Sequence, residues 1–151
     1  TTHSSEVVKS IGWDDIRIVH DNFGLKEVGK PSTKHLPYAS LSEINYLTYG
    51  VIGVEYHNEL YGFVQSKAID ENPNNEREKD FDLWLVSKGF TQTKSWIREK
   101  GGVAQTPHPC TLQTFVRNKI HHSENGQNPD YSSLELAQSI RELITLVDTL
   151  H

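Results

Sequence analysis

The sequence predicts an all-α fold, a bundle of about four to six helices in a single domain spanning 1–151. Two observations carry that expectation. Ser40 and Ser132 each stand three residues before a glutamate, Glu43 and Glu135, at the head of a run with apolar residues at helical spacing. A serine that accepts an early backbone N–H while the glutamate reaches back is a helix-start signal. The last run places Leu136, Ile140, Leu143, Val147 and Leu150 alternately four and three apart. That is the seam of a helix packed on other helices.

Taken in order, residues 1–10 read as a loose end. Residues 12–28 carry Trp13, Ile16, Ile18, Val19 and Phe23 and read as a short helix stopped at Gly24, with "IRIV" open to a strand instead. Gly29, Pro31 and Pro37 make 29–38 a connector. From Ser40 to about Ala68 no proline intervenes, and one long helix is expected, locally weakened by Gly50 and Gly53. The polar stretch "DENPNNEREKD" is an exposed connection. "FDLWLVSKG" and "TQTKSWIREKGG" read as two more helices closed by glycine, with Trp84 and Trp96 as core anchors. Pro107 and Pro109 fit only at or before a first helical turn, so a further helix begins near Thr111 and ends before the turn-rich "SENGQNPDY".

Composition narrows the function. Hydrophobic residues make up 35% and charged residues 23%, which suits a globular chain rather than a disordered one. No run of about 18 apolar residues exists, so no membrane helix is expected. The first ten residues lack the basic-then-apolar pattern of a secretory signal, and Cys110 is the only cysteine. A lone thiol suits a reducing compartment, so a cytoplasmic location is expected, and a small buried residue is the simplest role for Cys110. A net charge of −5 argues against a tight, nonspecific nucleic-acid binder while leaving room for an enzyme that touches nucleic acid at one local patch.

The distinctive stretch is "FVRNKIHHSENGQNPDY", residues 115–131. At 100° per residue, with Arg117 as zero, His121 falls at about 40°, Asn118 at about 100° and His122 at about 140°. Leu112, Phe115, Val116 and Ile120 occupy about 160° to 300°, so one side is apolar and the other is a polar arc. That set suits attack on a phosphodiester. Arginine offers a fixed planar cation to the non-bridging oxygens. Histidine can take a proton from a ribose 2′-hydroxyl or give one to the leaving oxygen. Asparagine can orient either partner. RNA brings its own nucleophile, so no metal or cofactor is required.

Arg117-Asn118-x-x-x-His122 resembles the Arg-Asn-x-x-x-His signature of the HEPN superfamily, and "HHSEN" is similar to an extended form in some phage-defence members. The resemblance implies a HEPN-like helical bundle that homodimerises, so that two copies of the motif line one cleft. It also implies metal-independent RNA cleavage in toxin–antitoxin, abortive-infection or other antiviral systems, held silent by an antitoxin or regulatory protein, an ATPase among the options. By position, Arg117 and His122 carry the catalytic roles and Asn118 is their polar companion, while His121 fills a variable position beside them. Glu124, Glu55 and Lys119 stand as accessory candidates. Glu55 and Glu59 lie one turn apart, and a carboxylate from that earlier helix could orient His122. Lys119, on the far side, could at most support an RNA phosphate.

Three other readings compete. Cations gather at helix C-termini for the dipole alone, with no function. A zinc site from His121, His122 and Glu124 is disfavoured, because adjacent histidines point about 100° apart and no cysteine pair helps. A noncatalytic helical module docking onto an ATPase or nucleotidyltransferase partner would use the same fold without cutting RNA. His35 and His57 are expected to be background.

Overall fold

The computed structural model describes residues 4–31 and 34–150. Among the described residues helices make up 51% and strands 14%, the strands forming small antiparallel sheets. The fold is therefore mixed, and the expectation of an all-α, HEPN-like bundle is overturned. The chain divides into two compact units, Thr1–Tyr56 and His57–His151. Among the described residues, no helix is long and apolar enough to cross a membrane.

In the first unit, Ser5–Ser10 forms a short helix, α1, where a loose end was expected. Ser4 caps it by accepting from the Val7 N–H. A 3-10 turn at Trp13–Asp15 follows. The helix expected over 12–28 is replaced by a hairpin, β1 (Ile18–Asn22) and β2 (Leu25–Gly29), with Val19 opposite Val28 and Asn22 opposite Leu25. Its two-residue turn, Phe23 and Gly24, has φ of 53° and 89°. Two positive φ values are what a tight hairpin turn needs, and what read as a helix stop is that turn.

The long helix expected from Ser40 to Ala68 is two helices, α2 (Leu41–Tyr49) and α3 (Val54–Glu71). Gly50 adopts φ 65°, ψ 23° and caps α2 in the left-handed region, where a residue with a Cβ is disfavoured. Ser40 does accept from the Glu43 N–H at 3.1 Å, as its position implied. The Glu43 carboxylate, wholly buried, accepts from the backbone N–H of His35 and Leu36. Val8, Ile16 and Ala39 form this unit's core, with Ile11, Trp13, Leu41 and Ile44 against it.

The second unit carries the rest of α3, then a 3-10 turn at Pro73–Glu76 and α4 (Glu78–Ser87). Residues 91–102, expected to be helical, instead supply β3 (Lys94–Trp96) and β4 (Glu99–Lys100). β4 pairs with β5 (Val103–Ala104), and β3 pairs with β6 (His108–Cys110), both antiparallel. Gly101 and Gly102 have φ of 58° and 78° and connect Lys100 to Val103, again a hairpin turn rather than a helix cap. α5 (Leu112–His121) and α6 (Ser133–Val147) follow, the second with both halves of its capping box formed. Lys94 pairs with that same Glu135, linking β3 to α6. Leu60, Val64, Phe81, Leu85, Val116, Ile140 and Leu143 are fully buried here. Trp96, Cys110 and Phe115 form an adjoining cluster. Trp84 and Trp96 are both core residues, as anticipated.

Candidate functional site

The start of α5 is fixed by a buried carboxylate. Asp82 of α4 accepts from the Thr111 backbone N–H at 2.9 Å and from its hydroxyl at 2.7 Å, while the Thr111 hydroxyl accepts from the Thr114 N–H. Cys110, just before, is 1% exposed, and burial together with Asp82 and Glu78 pushes its thiol up to about 12. A thiol that stays protonated is no nucleophile.

α5 is enclosed on most sides, and this changes the polar arc. Thr114 and Asn118 are buried, not solvent-facing. The Tyr61 hydroxyl of α3 lies 3.3 Å from the Thr114 hydroxyl, and the Arg117 guanidinium sits 6.0 Å from the Tyr61 ring centroid. Arg117 is half-buried and makes no ion pair among the described residues. Its Nη1 donates to Asn118 Oδ1 at 3.2 Å. The Asn118 carbonyl accepts from the His122 N–H at 2.8 Å, and the buried Asn118 Nδ2 has no hydrogen-bond partner among the described residues. Asn118 thus touches both residues of the motif, one through its side chain and one through its backbone.

Arg117 and His122 nevertheless leave the helix on different flanks. Arg117 lies against Tyr61. His122, just past the end of α5, is exposed, has its ring 6.3 Å from that of Trp96, and has Nδ1 3.7 Å from a Glu124 carboxylate oxygen. His121 stands between them, exposed, and is held below the usual imidazole range by burial and by the charges of Arg117 and His122.

The accessory candidates separate. Glu124 is beside His122. Glu55 lies in the first turn of α3, within the other unit. Lys119 is buried and spent on the following loop: its ammonium donates to the carbonyls of Asn125 and Asn128, at 3.0 and 3.3 Å, and pairs with Asp130 at 3.1 Å. Asn125 and Asn128 in turn donate to the Ile97 carbonyl. Lys119 is a loop anchor and has no free cation to offer an RNA phosphate.

Two neighbourhoods were not anticipated from the sequence, where His57 was expected to be background. Tyr61 stacks near His57, centroids 6.1 Å apart, and His57 is wholly buried with Nε2 2.9 Å from the Ser139 hydroxyl. Burial lowers the His57 pKa to about 4, with His121 adding to the effect and the Asn58 side chain opposing it. The i, i+4 spacing of His57 and Tyr61 was the one available signal. On the other flank, His122 lines a groove of about 310 Å³ with Glu78, Trp96, Arg98 and Glu124. Among the described residues, no group of three or more His, Cys, Asp or Glu is placed to hold a metal ion. No family model, curated protein or solved structure matches the chain.

Proposed function

We propose that the chain is a metal-independent endoribonuclease, a toxin or antiviral-defence effector, with Arg117 and His122 as catalytic residues in the manner of the HEPN motif. The observation that carries this reading is the donor surplus at Arg117. A half-buried guanidinium without a carboxylate and a buried carboxamide N–H without an acceptor lie side by side. The unneutralised guanidinium, steadied by Asn118, is suited to an incoming anion, and a phosphodiester is the anion that an imidazole brought opposite it can act on. His122 and Glu124, both exposed, give that imidazole solvent access and a carboxylate to orient it.

Because Arg117 and His122 sit on separate flanks, the reading calls for a homodimer in which His122 faces the partner subunit's Arg117 across a two-fold axis. An antitoxin or regulatory protein, of which an ATPase is one kind, would then silence the enzyme by covering that cleft. The same separation of flanks favours a second reading, a noncatalytic module that docks onto such a partner through two distinct surfaces. Purified protein incubated with RNA in excess chelator decides between them. Cleavage that is lost in Arg117→Ala and His122→Ala, with unchanged circular dichroism, supports the nuclease. Intact RNA with the wild-type chain supports the module.

A further inference from the structure

The groove beside His122 holds more chemistry than the motif brings to it. Glu78 opens α4, and its Oε1 accepts from Arg98 Nη2 at 3.1 Å. The same oxygen lies 3.8 Å from His108 Nε2. His108 reaches that point because the β3–β6 register sets it directly opposite Trp96, and Trp96 is the ring that His122 approaches from α5. Glu78, Arg98, Trp96 and His122 all line one groove. His108 is not itself a lining residue, but it reaches the groove's edge through Glu78, the carboxylate it shares with Arg98, while His122 lies on the Trp96 side of the same groove.

The geometry points to His108 as the acid–base partner of His122, with Arg98 as an added phosphate-binding cation in the cleft where His122 faces the partner subunit's Arg117, and a single RNA phosphodiester as the substrate. This rests on the nuclease reading and deepens it. One imidazole, neutral, takes the proton of the ribose 2′-hydroxyl as that oxygen attacks phosphorus. The bond from phosphorus to the 5′-oxygen breaks, and the other imidazole, protonated, delivers its proton to the departing oxygen. The products are a 2′,3′-cyclic phosphate and a 5′-hydroxyl, and the two imidazoles end with protonation states exchanged. Glu124 and Glu78 orient the rings, as carboxylates commonly do for catalytic histidines.

Charge sets a condition on this site. His122 is faced by Glu78 of α4, Arg98 and Glu99 of the β3–β4 segment, Glu124 of the loop and His121 of its own helix, while His108 faces Glu78 with Arg98 on the same carboxylate oxygen. Within one protomer, three carboxylates stand against one guanidinium. A protonated imidazole and the partner subunit's Arg117 offset that negative charge, so the acid catalyst is also part of the binding site. A cavity of about 310 Å³ accommodates little more than one nucleotide step, which suits exposed single-stranded linkages.

The test is the pH–rate profile for cleavage of a mixed-sequence single-stranded RNA by the full chain. The wild-type profile is expected to be bell-shaped. His108→Ala should lower the maximum by about a hundredfold or more and remove one limb of the bell, an effect that a merely structural loss would not produce. His108→Gln, which keeps ring-sized volume and a polar end, should behave alike and covers a failure of the alanine variant to fold. Arg98→Ala should raise KM more than it lowers kcat. Cleavage that needs His122 but keeps its rate and both limbs in the two His108 variants overturns the pair while leaving the nuclease reading intact. If the wild-type chain cuts no RNA, the nuclease reading fails, and NMR titration with uridine 3′-monophosphate then tests the groove by itself. Shifts of both the His108 and His122 ring signals, lost in Arg98→Ala, sustain a phosphate site; a silent His108 removes it.

Discussion

His57 should make the second unit acid-labile in a window where few other groups act. The ring is wholly buried between α3 and Ser139 of α6, and its pKa is lowered to about 4 from an ordinary 6.5. Between those values the unfolded chain binds a proton that the folded chain refuses, so stability must fall as pH falls. It is fully present above 6.5 and is lost progressively on the way down through 4. One proton gives a slope of at most about 1.4 kcal/mol per pH unit, and the interval integrates to roughly 3 kcal/mol. That is a large share of the typical 5–15 kcal/mol for a domain. Urea unfolding at a series of pH values from about 7 to about 4.5 reads the slope before the carboxylates contribute. His57→Gln will itself cost stability, through the lost Tyr61 stacking and the altered Ser139 bond, but it should flatten the pH dependence. Parallel curves for wild type and His57→Gln would refute the assignment, whatever their vertical offset.

Other outcomes follow from single contacts. Glu135, held at about 2 first by Lys94 and then by Ser132, should add a second acid loss between 4.5 and 2, and Glu135→Gln should remove it in the same unfolding series. Lys119→Met should destabilise by about 2–3 kcal/mol, since three loop oxygens lose their donor, and should speed hydrogen exchange at the Ile97 N–H, which the Asn128 side chain accepts from. Phe23 is fully exposed at φ 53°, so Phe23→Asn should raise stability by about 1 kcal/mol, visible in the thermal midpoint of the first unit. Arg117→Ala should abolish RNA cleavage by about a hundredfold or more with no comparable loss of stability, since its cation is unpaired.

The C-terminal third was legible because its signals were local. Thr111 and Ser132 cap α5 and α6 where the sequence placed helix starts, and the Glu135 capping box formed in full. The glycines were misread because a positive φ ends a helix and turns a hairpin equally well. What separates Gly101–Gly102 from a cap is the pairing of Lys100 with Val103, which no helical periodicity reveals. The polar arc failed for a related reason. A helical wheel gives angles but not neighbours, and the residue filling the Arg117 side, Tyr61, contacts Thr114 from 53 positions away. With 91–102 taken as helix, His108 had no reason to stand opposite Trp96, so the groove at His122 was invisible. Buried Asn118 is the part of the motif that the sequence reading assigned to solvent and the structure assigns to the core.

The most direct measurement is the chemical identity of the ends left when purified wild-type chain and His122→Ala are each given RNA in chelator. The account requires 2′,3′-cyclic phosphate and 5′-hydroxyl ends from the wild type and none above background from the variant. Ends bearing 5′-phosphate, or equal cleavage by both proteins, would contradict it.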